Sequence, residues 1–501
     1  MASLEATGCD ASNTSEGDAK GGAPPSSTGG TPGNAGNPAA NGGAPAPSSG
    51  GSATGGAVLA GAANGGGGGS TSAGNAGGGA GGAANGGSSN GGTPSGGMAS
   101  SGSAGLGGNA GSGGMSTAGS GGKIGTGSHQ FPENQRLERC AYPTNANPAD
   151  VVKAYERFKT EIVTSEGARG HLRVKRPNSP GAEVDSTVSE GIAYGMVIAV
   201  AMGDQPLFDG LWKYSQEFLN ENGLMHWYIN PAGTAPISTG GATDSDEDMA
   251  WALVMADRQW GGKGSLDKDY IEYAKTQIQA IWDHEIDHTQ GDFLKPGDTW
   301  NETVFNPSYF APNQYRIFGQ VTGKVAEWNR VIDRGYEMLD KCLNAENKNQ
   351  DNGLAPAWCD LNGKPTGTNS ASNYQYDSAR IPFRIGQDYC YNGEPRAKAY
   401  LEKISTFFAN IGAAKIVDGY ALDGTPEPDK DSAPNGPQSA VFVGTAAVGA
   451  MHDPKFQSFI DEAYALVATG ELLARSRYYN LSWTPLTLLM LTGNLNEFPA
   501  R

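Results

Sequence analysis

Three carboxylates stand where a charge is least expected: Glu190 in STVSEGIAYGM, Asp244 in ATDSDEDMAWAL and Asp377 in YQYDSARIPFR. Each lies in an otherwise apolar and aromatic stretch, where an unpaired charge is costly to bury. Carboxylates that open helices toward a common cleft, with tryptophans and tyrosines nearby, suit the cleavage of a sugar polymer. That reaction needs one protonated carboxyl to donate to the leaving oxygen. If it inverts the anomeric centre, it also needs an ionised carboxylate, roughly 6.5–9.5 Å away, to activate water on the opposite face.

The elements that must position these groups begin well inside the chain. Of 501 residues, 1–128 hold 44 of the 76 glycines, and no Phe, Trp or Tyr precedes Phe131. Such a segment buries too little apolar surface to offset its chain entropy, so a disordered, flexible tether is expected. Residues 129–501 suffice for a large core. Apolar spacing predicts helices around 150–158, 192–200, 249–260, 270–281, 325–332, 397–408 and 456–466, with a last apolar stretch at 486–491. Period-two strands are scarce, and Pro and Gly punctuate 231–241, 353–369 and 423–437. Many mid-length helices joined by long loops predict an all-α toroid of helical hairpins. An irregular all-α domain would show the same periodicity.

Composition narrows the partners. The net charge of −17 falls almost wholly on the folded part, which argues against nucleic acid and suits a neutral or cationic glycan. No apolar run is long enough to span a bilayer, and no hydrophobic signal segment opens the chain. Ala6-Thr7-Gly8-Cys9 before a low-complexity segment nevertheless resembles a bacterial lipobox whose upstream segment has been removed. The expectation is a secreted or envelope-anchored protein with a lipid on Cys9; the plainer alternative is a chance cysteine in a linker. Cys140, Cys342, Cys359 and Cys390 allow three pairings, with Cys342–Cys359 the local candidate. Nothing has CxxC metal spacing.

VDSTVSEGIAYGMVIAV, ATDSDEDMAWALVMADRQW and YQYDSARIPFRI resemble three segments of glycoside hydrolase family 8, as do the connecting stretches LKPGDTW and NPSYFAPNQYR and, beyond the third segment, IVDGYALDG. The resemblance covers 148–497 and none of the tail. It implies an (α/α)6 barrel with an acidic cleft across one end, and inverting endo-hydrolysis of β-1,4-linked glucan in cellulose or a soluble β-glucan. Xylan, mixed-linkage β-glucan and chitosan remain alternative substrates. Glu190 matches the general acid, Asp377 the general base, and Asp244 the residue that holds the distorted sugar. Tyr376 and Arg380 match the catalytic subsite, Trp227 and Trp300 match stacking residues, and either Tyr478 or Tyr479 matches a cleft tyrosine. Asp246, close to Asp244, is read as structural. No metal or organic cofactor is implied, and a monomer is expected.

Local chemistry adds detail. Ser186, Thr187 and Ser189 are natural N-caps, so Glu190 is expected in the first turn of an apolar helix. A helix N-terminus favours the ionised form, so holding the acid protonated requires desolvation and a neighbouring carboxylate, for which Asp244 is the candidate. Trp251, Trp260 and Trp328 are expected in the core. One rival motif stands out, because His284-Glu285-Ile286-Asp287-His288 is a literal H-E-x-x-H. On a helix it would present two zinc ligands and a base. Its continuation fails: Leu294 stands where the extended pattern needs a third histidine, and Ser308 where a glutamate would lie. A non-catalytic glycan-binding protein is the alternative from another class, and it would need the acid or the base to have been lost.

Overall fold

A computed structural model of the chain describes residues 122–300, 303–367, 372–432 and 436–501. The expected tether, its disorder and Cys9 fall almost wholly outside the described residues. Among the described residues, twelve α-helices form the domain. They are α1 (Pro148–Ile162), α2 (Ser189–Met202), α3 (Gln205–Gln216), α4 (Thr243–Trp260), α5 (Tyr270–His284) and α6 (Pro312–Thr322). There follow α7 (Val325–Lys341), α8 (Ile381–Asn392), α9 (Pro395–Ile411), α10 (Ala440–Ala450), α11 (Gln457–Thr469) and α12 (Arg477–Leu491).

Packing sorts them into two rings. Helices α2, α4, α6, α8, α10 and α12 touch in that order, and α12 returns to α2, closing an inner ring. Each odd-numbered helix packs outside it, so the fold is an (α/α)6 barrel. The sequence explains the sorting. Every residue of α2 and α10 is buried, and every residue of α12 except Arg477, as expected of helices enclosed on all sides. The outer helices keep one buried stripe, such as Val151, Ala154, Tyr155, Phe158 and Ile162 on α1.

Short antiparallel pairings line the loops. Thr187–Val188 pairs with Tyr228–Ile229, which in turn pairs with Pro236–Ser238. Val304–Phe305 pairs with Cys359–Asp360. Disulfides join Cys342 to Cys359 and Cys140 to Cys390, with Cα separations of 6.3 and 5.7 Å in the normal range.

The folded unit also reaches back beyond residue 129. The Thr126 amide donates to the Gly203 carbonyl and the Ser128 amide to that of Gln259, so this segment seals the C-terminal ends of α2 and α4. Composition assigns it to the tether, but its glycines serve close approach. Gly125 takes a left-handed φ of +79°, and a side chain there would begin 2.2 Å from the Met202 carbonyl oxygen. Trp251 and Trp328 are buried as expected. Trp260 is only half-buried and donates its indole N–H to the Thr126 carbonyl.

Candidate active site

The N-termini of the inner helices bring the three carboxylates together. Glu190 lies in the first turn of α2 and Asp244 in that of α4. Asp377 precedes the 3-10 turn Ser378–Arg380 that leads into α8. All three side chains are buried, as is Arg380.

Arg380 joins them. Its Nη1 donates to Glu190 Oε2 at 2.7 Å, to Asp244 Oδ2 at 2.6 Å and to the Tyr194 hydroxyl at 3.1 Å. Its Nη2 donates to Ser308 Oγ at 2.7 Å and to Asp377 Oδ1 at 3.3 Å. The Tyr478 hydroxyl donates to the other oxygen of Glu190 at 2.9 Å. Asn306 Nδ2 donates to Asp377 Oδ2 at 3.3 Å, and the Asn306 side-chain carbonyl accepts from Ser308 Oγ at 2.8 Å. One guanidinium spanning Glu190 and Asp377 holds the bonded oxygens no more than about 8 Å apart, a separation an inverting carboxyl pair could use.

The electrostatics follow from burial. Desolvation pushes Asp244 up to about 7; the Arg380 guanidinium opposes this, the Glu190 charge reinforces it, and Arg384 and Asp248 act more weakly. Two carboxylates sharing one guanidinium nitrogen thus retain a proton between them near neutral pH.

The capping expectation at Glu190 is corrected. The N-cap of α2 is Val188, which makes no side-chain cap bond. The nearby hydroxyls are used elsewhere: Thr187 Oγ1 donates to the Val174 carbonyl, and Ser189 Oγ pairs with Ser245 Oγ of α4 at 2.6 Å. A strand leads directly into the helix, so these side chains cross-link neighbours.

The aromatic candidates divide. Trp227 is half-buried, stacks on Tyr228 at 5.1 Å, and its carbonyl accepts the Ser189 amide beside the acid. Trp300 is half-buried and stacks on the buried Trp358, with centroids 5.3 Å apart and planes 13° apart. Tyr309 meets Trp358 edge-on, and Arg380 lies over the Tyr309 ring at 5.3 Å. Tyr478 is the tyrosine that reaches the acid. The Tyr479 hydroxyl donates to the Tyr376 carbonyl, and the Tyr376 hydroxyl turns away to Asp418 at 2.7 Å. Sequence reasoning did not single out Ser308, Asn306, Tyr194, Tyr309 or Trp358. The signal available was NPSY just before α6, with Pro as an interruption.

The HEIDH segment is not a zinc helix. Helix α5 ends at His284, Ile286–Asp287 is a strand, and His288 opens a 3-10 turn. His288 spends its ring nitrogens on Asp292 and the Trp282 carbonyl. Among the described residues no group of three or more His, Cys, Asp or Glu side chains has the geometry to hold a metal.

Residues 131–493 match the model of the glycosyl hydrolases family 8. The chain belongs to glycoside hydrolase family 8. This family 8 hydrolase is similar to Endoglucanase A of Acetivibrio thermocellus, 38% identical over 347 residues covering 68% of each chain. It is also similar to Endoglucanase C of Ruminiclostridium cellulolyticum, 36% identical over 378 residues covering 73% of this chain and 76% of the relative. In structure it resembles the apo β-1,3-1,4-glucanase of Paenibacillus sp. X4, with a TM-score of 0.65 and 26% identity. That match covers 73% of this chain and 98% of the glucanase.

Removing the shared cation tests the site. Arg380→Met leaves adjacent buried carboxylates uncompensated and is expected to cost about 3–5 kcal/mol of stability. Turnover should fall ~100-fold or more. Adding Asp244→Asn in that background should recover part of the stability but not the turnover; denaturant titration and activity assays check both.

Proposed function

We propose that this enzyme hydrolyses internal β-1,4-glucosidic linkages of cellulose or soluble β-glucan with inversion. The observation that carries the reading is the single buried guanidinium spanning Glu190, Asp244 and Asp377. Glu190 donates its proton to the leaving glycosidic oxygen, drawing on the proton that it and Asp244 hold between them. Asp377 takes a proton from the attacking water on the opposite face. Asp244 holds the sugar ring at the cleavage point, and its position beside the acid supports that role. The endoglucanase relatives favour a β-glucan over xylan or chitosan.

The half-buried Trp227 and Trp300 suit stacking on the apolar faces of neighbouring sugars, because an aromatic face excludes water while leaving ring hydroxyls wet. Two disulfides support export to an oxidising compartment. Envelope attachment through Cys9 and a monomeric state belong to the same proposal.

Glu190→Gln and Asp377→Asn should each lower kcat by about 10²–10⁴-fold while circular dichroism and Tm report a folded protein; near-normal turnover in either would remove that residue from its role. The raised pKa of Asp244, beside Glu190, makes the active form the protonated one. kcat/KM should therefore decline as pH rises through the value of about 7 held by Asp244, by about tenfold per unit. Proton NMR of fresh product should show α-anomers, and β-anomers would refute inversion. Reducing-sugar release from carboxymethylcellulose, barley β-glucan, xylan and chitosan should be greatest on a glucan.

A further inference from the structure

The HEIDH segment has a use that owes nothing to zinc. Glu285 caps the end of α5 with its side chain fully buried, and Asp246, equally buried, faces it from the first turn of α4. Between them runs the backbone of Gly241. A Cβ on Gly241 would lie 2.8 Å from Asp246 Oδ2 and 3.3 Å from Glu285 Oε1. Gln277 Nε2 donates to Asp246 Oδ1 at 3.0 Å, but Asp246 Oδ2 and both oxygens of Glu285 have no well-formed hydrogen bond; the donors directed at them are the Ala242 amide toward Asp246 and the Thr243 hydroxyl toward Glu285.

The other charged groups do not supply one. Asp298 faces both and accepts from Asn222 Nδ2 at 2.9 Å and from the Gly241 amide at 2.8 Å. Asp244 adds its charge toward Asp246 and Glu247 toward Glu285, both of the same sign. Lys295 directs its ammonium to the carbonyls of His284 and Asp298, and the Thr243 hydroxyl goes to the Lys295 carbonyl. Two facing, buried carboxyl groups with no cation between them and only weak neutral donors are most stable when one carries the proton that the other accepts.

We propose that Glu285 and Asp246 share one proton, and that this pair is a positioning device holding the Gly240–Ala242 turn that presents Asp244 to Arg380 and Glu190. The surrounding bonds give the pair its leverage. Asp246 N donates to the Ala242 carbonyl, Thr243 N to that of Pro296, and Lys295 N to the backbone carbonyl of Glu285. The end of α5, the 295–298 loop and the first turn of α4 therefore move as one unit. The inference rests on the placement of Asp244 in the site and is independent of the substrate.

Burial, reinforced by Asp246 and Asp298, holds Glu285 well above the usual carboxylate range. A raised folded-state value means the stabilisation is fully present below the unfolded value of about 4 and is lost as pH rises through the folded one. Glu285→Gln replaces the shared proton with an amide hydrogen that does not titrate.

The test is Tm measured from pH 5 to 9, with hydrogen exchange of the 240–246 peptide corrected for intrinsic rate. Wild type should lose about 3 °C or more beyond the loss in Glu285→Gln over that range. Its 240–246 amides should become less protected at high pH, while those of the variant stay protected. Asp246→Asn should flatten the profile in the same way. Parallel wild-type and variant profiles would overturn the proposal, since a packing role alone shifts Tm equally at every pH. If neither variant folds, infrared spectroscopy of Glu190→Gln/Asp244→Asn, which lacks the active site's protonated carboxyl, decides: a carboxylic-acid carbonyl band that persists at pH 7 is expected, and its absence would overturn the shared proton.

Discussion

The structure depends on one buried guanidinium. Arg380 is wholly enclosed, and a charge in that position is tolerable only when paired and fully hydrogen-bonded. Its partners come from α2, α4, the turn before α8 and the segment before α6. Satisfying one side chain therefore requires that the N-termini of several inner helices meet at one end of the barrel. The same requirement places three carboxylates, Glu190, Asp244 and Asp377, around one point.

A second layer repeats the arrangement one turn deeper. Asp248 follows Asp244 by four residues on α4, and Arg384 follows Arg380 by four, so each pair shares a face. Arg384 Nη2 donates to Asp248 Oδ2 at 2.8 Å, and Gln314 of α6 donates to Asp248 Oδ1. Glu247 accepts from the Tyr315 hydroxyl at 2.7 Å. The barrel axis near the site is thus polar, with the Arg384–Asp248 pair beneath Arg380, although Glu247 Oε1, Gln314 Oε1 and Arg384 Nε meet no hydrogen-bond partner. This rigid column explains how buried carboxylates can be kept in place without the flexibility of a surface ion pair.

Much of the fold was legible because the outer helices carry the stripe that a single-sided burial demands. Helices α1, α5, α7, α9 and α11 follow from apolar spacing alone, as do α2 and α4. The inner helices α6, α8 and α10 were not picked out: α10 has no polar face to set the period, while α6 and α8 bury polar side chains such as Asn313, Gln314, Arg384 and Asp388 among their apolar ones. The outer α3 was also missed, its pattern interrupted by Pro206 and Gly210. Ser186, Thr187 and Ser189 read as caps because hydroxyls before an apolar run usually are; the strand pairing at Thr187–Val188, a contact between distant segments, redirected them. HEIDH failed as a helix for a similar reason, since the pairing of Ile286–Asp287 with Phe293–Leu294 ended the helix inside the motif.

By itself the sequence determined the family, the three carboxylates and their order, because those are properties of short segments with their own composition. It left three pairings of the four cysteines open, with Cys342–Cys359 only the local candidate, and the structure joins that pair, 17 residues apart. Only the tertiary structure decided how those segments meet. Tyr478 rather than Tyr479 reaches the acid across 288 residues of chain, and Arg380 reaches Glu190 across 190. Glu285 finds Asp246 rather than a metal. In each case the deciding quantity is the burial of a polar atom and the need to match it, which depends on the closed ring and not on any neighbour in sequence.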